Sequence, residues 1–152
     1  MLRPTLCLFL MLATLAPLHA DPTRPGGEWD AVAVAPVKTS IYIGSVTLIT
    51  GEFRRDGDKF ATTYEAKVWP WFFWSETGHI AITLPPANLD KLARGERIEF
   101  SGEAFNKRNK PRRITGLAER TDGATGRLKI RIGVDDTELI FNASYRFSNA
   151  VK

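Results

Sequence analysis

Arg127-Leu128-Lys129-Ile130-Arg131-Ile132-Gly133-Val134 decides the fold class. Leu128, Ile130, Ile132 and Val134 fall on one face, and Arg127, Lys129 and Arg131 on the other. Strict period-two alternation of this kind predicts a half-buried strand with one wet side. After Asp135-Asp136 the alternation resumes with the opposite parity. Leu139, Phe141, Ala143, Tyr145 and Phe147 point inward, and Glu138, Asn142, Ser144 and Arg146 outward; Ile140 is the exception. An antiparallel hairpin with a two-residue loop produces that change of parity. It sets Val134 opposite Thr137, Ile132 opposite Leu139 and Ile130 opposite Phe141.

The same logic extends upstream. Residues 97–105 place Ile98, Phe100, Gly102 and Ala104 on one face, and residues 112–119 place Ile114, Gly116 and Ala118 inward. A loop over 107–111 would put Ala104 against Ile114, Gly102 against Gly116 and Phe100 against Ala118, large meeting small around a glycine pair. Further back, Asp56-Gly57 is the strongest short turn signal. Its arms run from about Ser40 to Arg55 and from Lys59 to Phe73. The first arm changes phase, which a bulge at Gly51 repairs, setting Leu48 near Tyr64 and Val46 near Ala66. Pro70 bends the second arm or takes it out of the ladder. Ser75 to Gly78 then turns into a short strand, His79 to Leu84. After Pro85-Pro86, the spacing of Leu89, Leu92 and Ala93 with Gly95 behind them predicts one short helix near 86–94.

The expected fold is therefore mainly β: an antiparallel meander of about seven to eight strands forming a small closed or curled barrel. At the level of architecture it resembles the lipocalin-like and YceI-like small secreted barrels. No residue motif of either family is present, and no site is carried over from them. Charged residues along the outward face of most strands argue against a barrel with a lipid-facing wall.

Residues 1–20 hold Arg3, no acidic residue and an apolar run from Leu6 to Leu15 that ends in small residues and a proline. That pattern reads as a secretory signal peptide cut near Ala20. Removing 20 of 152 residues leaves 132, which keep 20 of the 21 basic and all 17 acidic residues, a formal charge of +3. The only cysteine, Cys7, leaves with the signal, which excludes a disulfide, a thiolate metal site or a cysteine nucleophile in the mature chain. One histidine, His79, remains. Residues 21–36 read as a flexible lead-in, with Trp29 the packing residue of its charged, Pro/Gly-rich first part, and residues 37–148 as a single barrel-like domain. The expected location is the periplasm or the cell exterior. The leader makes nucleic acid an unsuitable partner, and no transmembrane segment remains after cleavage.

Two stretches carry candidate chemistry. Trp69-Pro70-Trp71-Phe72-Phe73-Trp74 holds five aromatics in six residues. It is either core plus strand-end cap, or an exposed surface for a ligand, sugar or membrane. Asn106 to Arg113 holds five positive charges, Lys107, Arg108, Lys110, Arg112 and Arg113, and no acid. It is either a solvated hairpin tip or an anion contact for lipid headgroups, lipopolysaccharide or acidic polysaccharide, which Arg127, Lys129 and Arg131 would extend. Glu76 and His79 could exchange protons only in a dry cleft beside a held nucleophile or water, and no catalytic constellation surrounds them.

These features imply a non-enzymatic protein with no cofactor and no metal site. The first functional reading is a binding module for an apolar or amphipathic small molecule or lipid. Trp69, Trp71, Phe73 and Trp74 would line the mouth, and Gly102 and Gly116 would make room inside. The alternative is an interaction protein that contacts an anionic envelope surface through the basic loop and the aromatic cluster, with a filled core. The interior volume discriminates between them, since a ligand needs a few hundred Å³.

Overall fold

The computed structural model describes residues 29–149. The leader expected at 1–20, and the lead-in as far as residue 28, lie outside the described residues. Ten strands run in chain order: β1 (Ala31–Val34), β2 (Val37–Ile41), β3 (Gly44–Thr50), β4 (Phe53–Asp56), β5 (Lys59–Trp69), β6 (Glu76–Thr83), β7 (Ile98–Asn106), β8 (Pro111–Asp122), β9 (Thr125–Val134) and β10 (Thr137–Ser148). Helix α1 (Pro86–Ala93) lies between β6 and β7, and a single 3-10 turn, Phe72–Trp74, between β5 and β6. Eight strands close an antiparallel ring, β1-β4-β5-β6-β7-β8-β9-β10 and back to β1. β2 and β3 pair with each other and prolong β1 and β4 past short breaks. Among the described residues no helix is long and apolar enough to cross a membrane.

Ring closure corrects the expected domain boundary. Residues 31–34, read from the sequence as lead-in, form the strand that joins the two halves of the sheet. Val32 pairs with Phe147 on one side and Phe53 on the other, and Ala31 and Val32 are buried. Four residues of alternation are too few to stand out before a Pro-containing break. Trp29 packs as expected, stacked on Phe147 at 4.4 Å.

The hairpin of β9 and β10 has the expected register, with Val134 opposite Thr137, Ile132 opposite Leu139 and Ile130 opposite Phe141. Asp135 takes the left-handed backbone that so tight a turn requires (φ 52°). The hairpin of β7 and β8 does not. Phe100 faces Gly116, Gly102 faces Ile114 and Ala104 faces Arg112, two residues from the expected register. The loop is shorter than five residues: Asn106 N–H donates to the Lys110 carbonyl at 3.2 Å, and Asn109, with φ 59°, makes the turn. An even offset keeps every side chain on its expected face but changes its neighbours. The first hairpin behaves alike: the strand breaks at Gly51, yet Leu48 faces Ala66 and Val46 faces Val68, because the bulge inserts one residue and not three.

The new register removes the space that an opposed glycine pair would leave. The Phe100 ring packs over Gly116, while the Ala81 carbonyl and Ile82 crowd Gly102. A Cβ at position 116 would lie 2.6 Å from the Lys129 carbonyl oxygen and collide with Phe100. Gly116→Ala is therefore expected to destabilise the fold by about 1–3 kcal/mol through overpacking. Urea unfolding measures this, and an unchanged midpoint would contradict the packing described.

The core is a single cluster running the length of the barrel, with Phe60, Phe141, Leu89, Leu92 and Ile114 fully buried. α1 begins with Pro86 at its first turn, where a missing N–H costs nothing. It ends with Gly95 at φ 83° and paired bonds from Gly95 N–H to Leu92 O and Glu96 N–H to Lys91 O. Leu89 and Leu92 turn into one mouth of the barrel and fill it. The interior retains an apolar cavity of about 70 Å³ and a second of about 30 Å³.

Candidate functional site

Antiparallel order sends four connections to the mouth opposite α1: the β2–β3 turn, the β5–β6 segment, the β7–β8 loop and the β9–β10 turn. Both stretches singled out in the sequence therefore meet at one end of the molecule.

β5 leaves the ladder at Pro70, which has no N–H to donate. The chain then coils into the 3-10 turn. Trp74 N–H donates to Trp71 O at 2.9 Å and Ser75 N–H to Phe72 O at 3.1 Å, and Ser75 Oγ accepts from Val68 N–H at 2.9 Å. A turn of three residues spreads its side chains in all directions, and no element among the described residues covers this mouth. Phe72 is 77% exposed, Phe73 and Trp69 each 68%, Trp74 57% and Trp71 36%. The reading of this run as core plus cap is overturned, and the exposed surface stands. Trp71, Phe73 and Trp74 touch one another, with ring centres 5.3–5.8 Å apart. The neighbouring β2–β3 turn, held beside Trp69 by the Ser45–Trp69 pair, adds Tyr42 and Ile43, both exposed. Sequence reasoning missed these two. The arm expected to run from about Ser40 to Arg55 in fact turns at Tyr42-Ile43, ahead of Gly44, and that glycine was the available signal.

The basic loop lies alongside. Lys107 N–H donates to Thr77 O at 3.0 Å, two residues beyond the end of the aromatic segment at Ser75. Lys107, Arg108, Lys110 and Arg113 are exposed. Lys110 is partnered by Asp135 at 2.9 Å. On the outer wall, Arg131 faces Thr115, two positions from Arg113, so the basic strip continues onto β9. Arg131 is itself 3.7 Å from Glu138.

Arg112 requires correction. It is not part of an outer anion contact but is buried, 7% exposed, within the mouth of the barrel. Its position has the parity of Ile114 and Ala118, which point inward. Its anion is internal: Nη2 donates to Glu76 Oε2 at 2.9 Å and Nε to Glu76 Oε1 at 3.2 Å. Asp135 stands 3.6 Å from Nη1. Glu76 also accepts from Tyr64 OH at 2.9 Å and from Asn106 Nδ2 at 3.1 Å. Burial pushes the Glu76 carboxyl up, but the hydrogen bonds from Arg112, Asn106 and Tyr64 outweigh burial and hold it below the ordinary carboxylate range. Burial, then the bond to Glu76, pushes the Tyr64 hydroxyl up. His79 points to the outer face of β6, exposed, so Glu76 and His79 do not form a pair.

This end is thus an exposed aromatic patch flanked by Lys107 and Arg108, which pair with no acid among the described residues, and set over a partly buried, hydrogen-bonded polar plug. No protein-family model, curated protein or solved structure matches the chain.

Proposed function

We propose that the protein is a docking module that seats its loop end on an anionic lipid surface of the cell envelope. The observation that carries this reading is the shared end: seven exposed apolar side chains, Tyr42, Ile43, Trp69, Trp71, Phe72, Phe73 and Trp74, beside Lys107 and Arg108. Tryptophan and tyrosine suit the headgroup level, where one edge is wet and the other apolar. Each basic residue near an anionic leaflet adds about 1 kcal/mol. The leader-like stretch at 1–20 supports delivery to the envelope. The reading as a carrier of an enclosed apolar ligand is weaker, because the interior cavities of about 70 and 30 Å³ fall well short of the roughly 300 Å³ of ligand pockets.

The test is partitioning onto phosphatidylglycerol vesicles and onto phosphatidylcholine vesicles, followed by sedimentation and by tryptophan emission. The wild type is expected to bind the anionic vesicles with a blue shift and to be released by salt. Removing two cations with Lys107→Ala and Arg108→Ala should weaken anionic binding by roughly 30-fold. Phe72→Ala should weaken it by roughly tenfold or more through lost apolar burial. Equal, background-level binding to both vesicle types would refute the proposal.

A further inference from the structure

The aromatic turn and the basic loop are joined by one backbone bond, Lys107 N–H to the Thr77 carbonyl, and by one carboxylate, that of Glu76. Glu76 is the first residue of β6, directly after Ser75, whose N–H and Oγ bonds close the aromatic segment. Its backbone pairs with Ala66 of β5. On the neighbouring strand, Asn106 ends β7 opposite Gly78 and divides its amide between two tasks. Its Oδ1 accepts from Arg108 N–H at 3.0 Å and from Lys110 N–H at 2.9 Å, which shapes the basic loop. Its Nδ2 donates to Glu76 Oε2. On the other side of the loop, Arg112 holds the same carboxylate through two bonds and faces Asp135, which also grips Lys110. Asn106, Arg112 and Asp135 therefore tie the docking loops to Glu76 or to one another, while Tyr64 braces Glu76 from within β5. A plug needed only to stop the barrel could be apolar, and buried pairs of this kind are often no more stabilising than hydrophobic replacements of the same size.

We infer that Asn106 is a positioning residue, linking the basic loop to Glu76 so that cations and aromatic rings present one face of fixed geometry. The link rests on the docking reading for its purpose, but its mechanics can be tested without a membrane. A rigid face binds better than one whose loops shift against each other, because less conformational freedom is lost on contact.

Amide hydrogen exchange at Trp74 and Ser75 is measured in the wild type, Asn106→Ala and Asn106→Asp, with Ile130 as the global reference. Asn106→Asp retains the acceptor for Arg108 and Lys110 but replaces the donor facing Glu76 with a like charge. Both variants are expected to exchange about tenfold faster at Trp74 and Ser75, the effect of one lost charge-assisted bond, with Ile130 unchanged. Wild-type exchange at Trp74 and Ser75 in Asn106→Asp would confine Asn106 to shaping its own loop and overturn the proposal. A uniform rise that includes Ile130 would overturn it too, as simple loss of stability. On phosphatidylglycerol vesicles Asn106→Ala, with every aromatic and basic side chain intact, should bind about tenfold more weakly; unchanged binding overturns the positioning role. Wild-type protein that ignores such vesicles while the exchange coupling holds overturns the docking reading and leaves the link standing.

Discussion

Replacing Arg112 with alanine is expected to cost about 3 kcal/mol of stability at neutral pH, read from chemical unfolding. The cost arises from what remains. Glu76 is only 22% exposed at its side chain and loses both bonds from its cation. Arg113, one residue on and exposed, should lose less than about 0.5 kcal/mol on the same change. The double variant Arg112→Met, Glu76→Leu should recover part of the loss, because neither charge is then buried unpaired. Recovery should be incomplete, since Tyr64 OH and Asn106 Nδ2 lose their acceptor. The network also gives stability a pH dependence of definite sign. The folded carboxyl of Glu76 lies below its unfolded value, so its contribution is fully present above the ordinary carboxyl pKa of about 4.3 and is lost as pH falls through the depressed folded value. The stability difference between wild type and Glu76→Gln should therefore be largest above about pH 5 and shrink in acid. A constant difference would mean that Glu76 acts through shape alone.

Phe141→Ala is expected to have the largest effect of any single change considered, about 4 kcal/mol. Phe141 is 1% exposed and faces Ile130 across the β9–β10 ladder at mid-barrel. The closed ring gives the surrounding strands little freedom to collapse into the space left. Urea unfolding would show the loss as a lower midpoint with an unchanged slope. A loss below about 1 kcal/mol would contradict a tightly closed core. Phe141 and Arg112 border the same cavity of about 30 Å³, so the two losses should not add.

Much of the fold was legible in local pattern. Alternation along 127–147 specified two strands, their buried faces and their mutual register, because a two-residue turn leaves the pairing no freedom. Leu89, Leu92 and Gly95 marked the helix that fills one mouth. The candidate site was legible in part. The aromatic run and the basic loop both stood out by composition, but whether the rings faced in or out did not. Arg112 was grouped with its sequence neighbours, although the parity that placed Ile114 inside placed Arg112 there as well.

Face is a local property, set by the two-residue period of the strand, and the sequence alone determined it along most of β5, β7, β9 and β10. Contact across strands is not local. The offset of β7 against β8 depended on how the Asn106–Lys110 turn closed, and only the tertiary structure showed that Phe100 occupies the space above Gly116. Ring closure by residues 31–34 likewise required partners more than 100 positions away at 145–148. The same reason governs the site. Exposure of Trp69 to Trp74 depends on whether any element covers that mouth, and α1 covers the other one. Burial of Arg112 depends on Glu76, 36 residues away in sequence, arriving at the same height in the barrel.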